Sequence, residues 1–272
     1  MSSPRKLTPQ EEARLAQVRK NFEERRRVTQ SLEGIGTRIG VYSGKGGVGK
    51  TTVATNLAVT LAAQNKDVAL FDCDIDCPNV TRVLRITEGP VQNGEKLTPP
   101  TRFGVKVMSM AFFQENEDEA IIWRGPMIHN AINQFLQSTE WGNPDYMIVD
   151  LPPGTSDAPL TVMQTLNLDG FIIVTTPHEL AVLDAKRSIN MIKKMNLNVF
   201  GVVENLSGGV FGTGGGQALA EEMNLPFLGA TDMSSDYTNS RKPAALESDS
   251  VAAEYTSISN ELTRQISENK SH

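Results

Sequence analysis

The stretch Ser43-Gly44-Lys45-Gly46-Gly47-Val48-Gly49-Lys50-Thr51-Thr52 decides the reading of this chain. It satisfies the pattern G-x-x-x-x-G-K-[S/T], a loop that wraps phosphates, and it carries a second lysine, Lys45, inside that loop. Glycines let the backbone curl with its N–H groups pointing inward, and the helix that follows adds unpaired N–H groups and the positive end of its dipole. In that setting Lys50 neutralises the β- and γ-phosphates and Thr51 offers its hydroxyl to magnesium. Gly44, Lys45, Gly46, Gly47, Val48, Gly49 and Thr52 complete the nucleotide contact. The flanks agree: Arg38–Tyr42 reads as a buried strand, and Thr52–Val59 has helical spacing. Glycine-rich turns between a strand and a helix also occur without ligands, but lysine and threonine in register select the phosphate-binding reading.

Two acidic strand ends lie downstream. The apolar run Val68–Phe71 leads into Asp72-Cys73-Asp74-Ile75-Asp76-Cys77-Pro78-Asn79. Phosphoryl transfer to water needs a group that orients the nucleophile, and magnesium needs carboxylates or their waters. Asp74 is assigned to the water and Asp72 to the magnesium shell, although aspartate at a strand end also caps turns. The second run, Tyr146–Val149, ends in Asp150-Leu151-Pro152-Pro153-Gly154. Asp150 would hold magnesium through water, and Gly154 leaves room for a backbone N–H to approach the γ-phosphate.

From Arg38 onward, short apolar runs alternate with helical spacing. Strands are expected at Val68–Asp72, Val105–Ala111, Tyr146–Leu151, Phe171–Thr175, Val199–Glu204 and Pro226–Gly229. Helices are expected at Ile128–Leu136, Leu183–Met195, Gln217–Met223 and Ala252–Ile266. The fold class is therefore α/β: a mostly parallel sheet with helices on both faces and the ligand at the carboxyl ends of the strands. Ahead of it, Thr8-Pro9-Gln10-Glu11 starts a helix with an apolar stripe of Leu15, Val18 and Phe22, which Gly34 and Gly36 terminate. Residues 1–37 then form a helical arm and residues 38–272 one ATPase domain. The stretch Ser207–Gly216, with its many glycines, is expected to be a mobile loop.

With these motifs in view the chain resembles the Mrp/ApbC iron–sulfur carrier ATPases of the MinD-like P-loop class. The matching stretches are Ser43–Thr52, Asp72–Asn79, Trp123–Pro126, Asp150–Asp157, Thr175–Pro177, Gly201–Ser207 and Pro226–Gly229. The resemblance implies a slow magnesium-dependent ATPase that works as a homodimer, with Lys45 reaching across to the partner's nucleotide and Asn205 hydrogen-bonding the adenine. It also implies a protein partner in iron–sulfur cluster or metallocentre assembly. One departure stands out. Cluster carriers resemble one another in a C-x-x-C pair shortly after the Glu-Asn-hydrophobic-Ser segment, whereas here Ser207–Gly216 holds no cysteine. Cluster carriage by those ligands is excluded by residue identity. Cys73 and Cys77 are the only thiols, and two protomers would supply four; cluster ligation and ordinary packing both stay open for them. The alternative is a MinD/ParA-like ATPase that positions or regulates a partner without a cluster.

Composition narrows the setting. Nine Lys/Arg against five Glu put residues 1–40 at +4, so the remainder stands at −10 to reach the whole-chain charge of −6. Nucleic acid is not the expected partner of so acidic a body, and Arg25-Arg26-Arg27 alone speaks for DNA. No apolar run approaches the ~18 residues of a membrane span. Two cysteines make no disulfide framework and the first residues lack a secretory pattern, so a cytoplasmic protein is expected. His129 and His178 are too isolated to suggest a metal site.

Overall fold

Strands rich in Val, Ile, Leu and Phe without polar alternation can be buried only between two layers, and the chain builds that arrangement. The computed structural model describes residues 8–113, 125–238 and 241–270. Its strands are β1 (Thr37–Tyr42), β2 (Val68–Asp72), β3 (Val91–Asn93), β4 (Lys96–Thr98), β5 (Thr101–Arg102), β6 (Val105–Ser109), β7 (Tyr146–Asp150), β8 (Gly170–Thr175), β9 (Val199–Ser207) and β10 (Phe227–Asp232). The helices are α1 (Pro9–Leu32), α2 (Lys50–Ala63), α3 (Val80–Val83), α4 (Gly125–Ser138), α5 (Asp157–Leu166), α6 (Glu179–Lys194), α7 (Gly215–Met223) and α8 (Asp249–Lys270). Trp123 and Arg124, part of one matching stretch, lie outside the described residues.

The main sheet runs β10-β9-β8-β1-β7-β2-β6-β5 and is parallel throughout except for the short β5–β6 pair. Alternate side chains feed two cores. Ile39, Val41, Val68 and Leu70 join α2 and α8 on one face, while Tyr42, Ala69, Phe71 and Met147 join α4, α5 and α6 on the other. Burying a side chain such as Leu70 or Ile148 stabilises by about 1.5–3 kcal/mol, and β2 and β7 carry no charged residue before the aspartate that ends each.

At the amino terminus, Thr8 and Glu11 close a reciprocal capping box, as the sequence suggested. The stripe Leu15, Val18 and Phe22 nevertheless faces outward, with Phe22 68 % exposed. The buried contacts of α1 come later, from Val28 and Leu32. A helix needs an apolar surface opposite it to bury a stripe, and α1 meets α4 chiefly through its last turns. Beyond the sheet, β3 and β4 pair as a small antiparallel hairpin that the apolar pattern did not announce, because all but one of its six residues are exposed.

The stretch Ser207–Gly216, expected to be a mobile loop, has local structure at both ends. It continues β9 to Ser207, makes a single turn of 3-10 helix at Gly209–Phe211 and enters α7 at Gly215. Glu204, only 1 % exposed, gathers it: Oε1 accepts from the Ser207 hydroxyl at 2.7 Å and the Gly214 N–H at 3.0 Å, and Oε2 accepts from the Gly216 N–H at 2.6 Å. A carboxylate at the first turn of α7 also meets the positive end of that helix.

Candidate nucleotide-binding site

Parallel register places two carboxylates side by side. Asp72 and Asp150 are direct partners across β2 and β7, and Val41 of β1 pairs with Asp150 on its other side. All three strands therefore deliver their ends to one point of the sheet edge. The chain leaves β1 at Ser43 and curls back into α2, whose amino terminus has no side-chain cap. Gly47 and Gly49 take φ of +80° and +83°, a region that side chains disfavour. The resulting cavity of about 350 Å3 is lined by Lys45, Gly46, Gly47, Gly49, Lys50, Thr51, Asp74 and Asp76, with Ser43, Cys77, Asn79 and Pro153 at its wall.

Lys50 is the hub. Its Nζ lies 2.5 Å from Asp150 Oδ1 and 3.7 Å from Asp74 Oδ2, and the Thr51 hydroxyl donates to Asp150 Oδ2 at 2.6 Å. Burial works to lower the lysine's pKa, but Asp150 and Asp74 outweigh it and leave the ammonium more firmly protonated than usual. Asp74 moves upward, chiefly through burial against the opposing pull of Lys50. The expected constellation of Lys50, Thr51, Asp74 and Asp150 is thus assembled, and Lys45 stands at the cavity with no ion-pair partner among the described residues.

Other expected residues fall elsewhere. Asp72 is fully buried and faces the protein. Its Oδ1 accepts from the Asp74 N–H, and its Oδ2 accepts from the Val80 N–H and the Ser109 hydroxyl. It anchors the loop between β2 and α3, the turn-capping alternative, rather than opening toward a metal. Burial and the neighbouring Asp150 raise its pKa to about 8. The Gly154 N–H donates to the Ser43 carbonyl at 3.0 Å, and the Gly154 carbonyl accepts from the Tyr42 hydroxyl, so this peptide ties the loop after β7 to the phosphate loop instead of presenting a free donor. Val48 is buried under the loop, and Thr52 accepts from the Asn56 amide through its carbonyl.

Cys73 is wholly buried in the core that also holds Phe71 and Trp141, with burial and the adjacent carboxylates holding its thiol well above the usual range; Cys77 is exposed at the cavity wall. The two thiols therefore occupy different environments, and only one faces outward. His129 spends both ring nitrogens on Thr165 and Asn133, and His178 caps α6 through the Leu180 N–H. Sequence reasoning missed Ser109 and Thr231, which hold Asp72 and Asn205. No motif marks either, since each acts through a register that only the folded sheet reveals. Among the described residues no helix is long and apolar enough to cross a membrane.

The donor set fits magnesium bound to a nucleotide triphosphate. A threonine hydroxyl and a carboxylate converge at 2.6 Å beside an ammonium, at the foot of a loop whose Gly46 and Gly47 would meet nothing within 4 Å on gaining a Cβ. These are hard oxygen ligands, the class magnesium prefers.

Comparison with known proteins agrees with that geometry. The family model described as ParA, NUBPL iron-transfer P-loop NTPase, matches residues 34–268. The chain is 43 % identical over 220 residues to the iron-sulfur cluster carrier protein of Synechocystis sp., covering 75 % of this chain and 62 % of that protein. Among solved structures, the nucleotide-binding protein of Archaeoglobus fulgidus in complex with ADP is similar at a TM-score of 0.69 and 35 % identity, covering 78 % of this chain and 88 % of that one. The cell division ATPase MinD of Pyrococcus furiosus, at 22 % identity and a TM-score of 0.66, shares the fold over 84 % of this chain and 99 % of its own.

Proposed function

We propose, for a chain that belongs to the NUBPL iron-transfer P-loop NTPases, that it binds and hydrolyses ATP with magnesium and that hydrolysis switches a homodimer between states in iron–sulfur cluster or metallocentre assembly. The observation that carries this reading is the convergence of Lys50, Thr51, Asp74 and Asp150 beneath a glycine loop. Magnesium, when bound, would supply a positive centre that draws charge from the phosphate oxygens.

Each residue then has a task. The Lys50 ammonium leaves its carboxylate partners to meet the β- and γ-phosphates, so the attraction it gives up to Asp150 is exchanged for one to phosphate. Thr51 through its hydroxyl and Asp150 through its carboxylate would hold the metal. Asp74, held by the Cys77 N–H at 3.2 Å, aims its remaining oxygen at the water that attacks the γ-phosphorus. Lys45, which lines the cavity without an ion-pair partner among the described residues, is assigned to a second copy's nucleotide. The test is steady-state phosphate release by wild type, Lys50→Ala and Asp74→Ala; turnover unchanged by both substitutions would remove the assignment.

A second reading has its own observation. Ser207–Gly216 contains no cysteine and is fastened by Glu204, which favours an ATPase that regulates a partner while the partner holds the metal. Iron and sulfide analysis after anaerobic purification separates the two.

A further inference from the structure

Asn205 spends its side-chain amide on both sides. Nδ2 donates to the Val48 carbonyl at 2.8 Å, inside the phosphate loop, and Oδ1 accepts from the Thr231 hydroxyl at 2.6 Å. Both residues are buried, Asn205 being 2 % exposed and Thr231 0 %. The peptide joining Val48 to Gly49 is planar and trans, so its C=O and N–H point in opposite directions. Holding the Val48 carbonyl on Asn205 therefore turns the Gly49 N–H away from Asn205. Gly49 itself lines the cavity. The amide also dictates the residue there: a Cβ on Gly49 would lie 1.9 Å from Asn205 Nδ2.

We infer that Asn205 and Thr231 form a brace that fixes the Val48–Gly49 peptide in its phosphate-binding orientation. The pair sets affinity for the triphosphate whatever base is attached. This rests on the nucleotide reading above and goes beyond it, because family resemblance places Asn205 on the adenine. Each polar atom of Asn205 makes one bond to the brace and keeps one more capacity, so the brace acts whichever base is bound. Thr231 in this view is a positioning residue: it never touches the nucleotide, and it orients the amide so that the N–H2 group, rather than the oxygen, faces the Val48 carbonyl.

The experiment measures dissociation constants for ATP, GTP and inorganic tripolyphosphate, each with magnesium, by competition against a fluorescent ATP analogue. Wild type, Asn205→Ala, Thr231→Val and Thr231→Ser are compared at a temperature where circular dichroism shows each folded. Loss of one buried hydrogen bond to the loop predicts that Asn205→Ala weakens all three ligands by a common factor of about ten. Thr231→Val should weaken all three about threefold, and Thr231→Ser, which keeps the hydroxyl, should stay within about twofold of wild type. A loss confined to ATP, with GTP and tripolyphosphate unchanged, would show a base reader and overturn the brace, as would unchanged affinities in both Asn205→Ala and Thr231→Val. Should Asn205→Ala fail to fold, the Thr231 pair decides alone. Wild type that binds none of the three ligands would instead remove the nucleotide reading, and the brace with it.

Discussion

Lys50 and Asp150 form a buried ion pair at 2.5 Å, although one begins α2 and the other ends β7. The Thr51 hydroxyl occupies the second oxygen of the same carboxylate, and Asp74 lies just beyond the lysine. Residues that a nucleotide and its metal would recruit are thus mutually satisfied, which removes the penalty of leaving buried charge unpaired. Binding would then replace these partners rather than fill an unpaired site.

This exchange separates two substitutions. Lys50→Ala removes a charge-assisted contact to phosphate and strands two carboxylates together, so ATP affinity should fall at least about 100-fold. Asp74→Ala should leave affinity within a few-fold and lower kcat by about 10²–10³, because orienting water matters in the transition state. Calorimetric titration and phosphate release give the two numbers independently. Equal ATP affinity in wild type and Lys50→Ala would contradict the site.

Stability should depend on pH through Asp72. Its carboxyl titrates near 3.8 when exposed and at about 8 in the fold, raised by burial and by Asp150. Between those values the folded chain keeps a proton that the unfolded chain releases, so stability falls as pH rises through that window and levels off above it. Asp74 and Glu254, also shifted upward chiefly by burial, contribute with the same sign. Asp72→Asn should flatten the decline by up to ~1 kcal/mol per pH unit. Denaturant melts at about pH 5 and pH 8 measure it, and identical slopes in the two proteins would refute the assignment.

Glu204 offers a third test. Glu204→Ala leaves the Gly214 and Gly216 N–H groups and the Ser207 hydroxyl without their acceptor, a loss of about 3 kcal/mol. Glu204→Gln keeps one acceptor oxygen and should lose roughly half as much. Limited proteolysis should open first between residues 208 and 214 in the alanine variant. Cleavage there at the wild-type rate would mean that the carboxylate does not hold the loop.

How much of this was legible beforehand follows from the range of the interactions. The phosphate loop is local, with its lysine and threonine within one turn of its glycines, so Ser43–Thr52 announced both site and fold. The carboxylate of Asp150 was legible because an apolar run ends on it, and that of Asp74 because it follows within two residues of such an end. Asp72 has the same signature, yet its oxygens turn inward to Val80 and Ser109, a choice made by packing between β2 and β6. Asn205 and Val48 stand 157 positions apart in the chain, and the sheet alone brings them together. β10 was expected to stop at Gly229, and its continuation to Asp232 is what carries Thr231 to Asn205. The stripe of Leu15, Val18 and Phe22 has helical period, but period cannot say whether a surface lies opposite.

The second lysine predicts an assembly. Lys45 lines the cavity mouth while Lys50 already serves the local carboxylates, so a second cation is best used on another copy's nucleotide. ATP should tighten a homodimer, and Lys45→Ala should weaken that effect about tenfold while leaving the monomer's ATP affinity within about twofold. Linkage requires dimerisation to raise ATP affinity by the same factor that ATP raises dimerisation. Sedimentation velocity across a concentration series, with and without ATP, reads it. A monomer indifferent to ATP at every concentration would end the trans role for Lys45.

The cargo is the sharpest question, because the thiols are so few. A cluster bridging two copies needs thiolates that reach a shared face. Cys77 is exposed at the cavity wall, whereas Cys73 is sealed in the core with its thiol pushed upward by burial and by the carboxylates around it. Two copies therefore present two outward thiols, not four, unless the loop after β2 gives up the bonds that Asp72 makes to Asp74 and Val80. Releasing that anchor would disturb Asp74 as well, so holding a cluster on these residues and positioning water for ATP are competing uses of one loop. We expect a colourless protein after anaerobic reconstitution with iron and sulfide, with ATPase activity unchanged by Cys77→Ser. A stable brown species with about four irons per dimer, lost in Cys73→Ser or Cys77→Ser and accompanied by slower ATP turnover, would show instead that the loop rearranges to carry the metal.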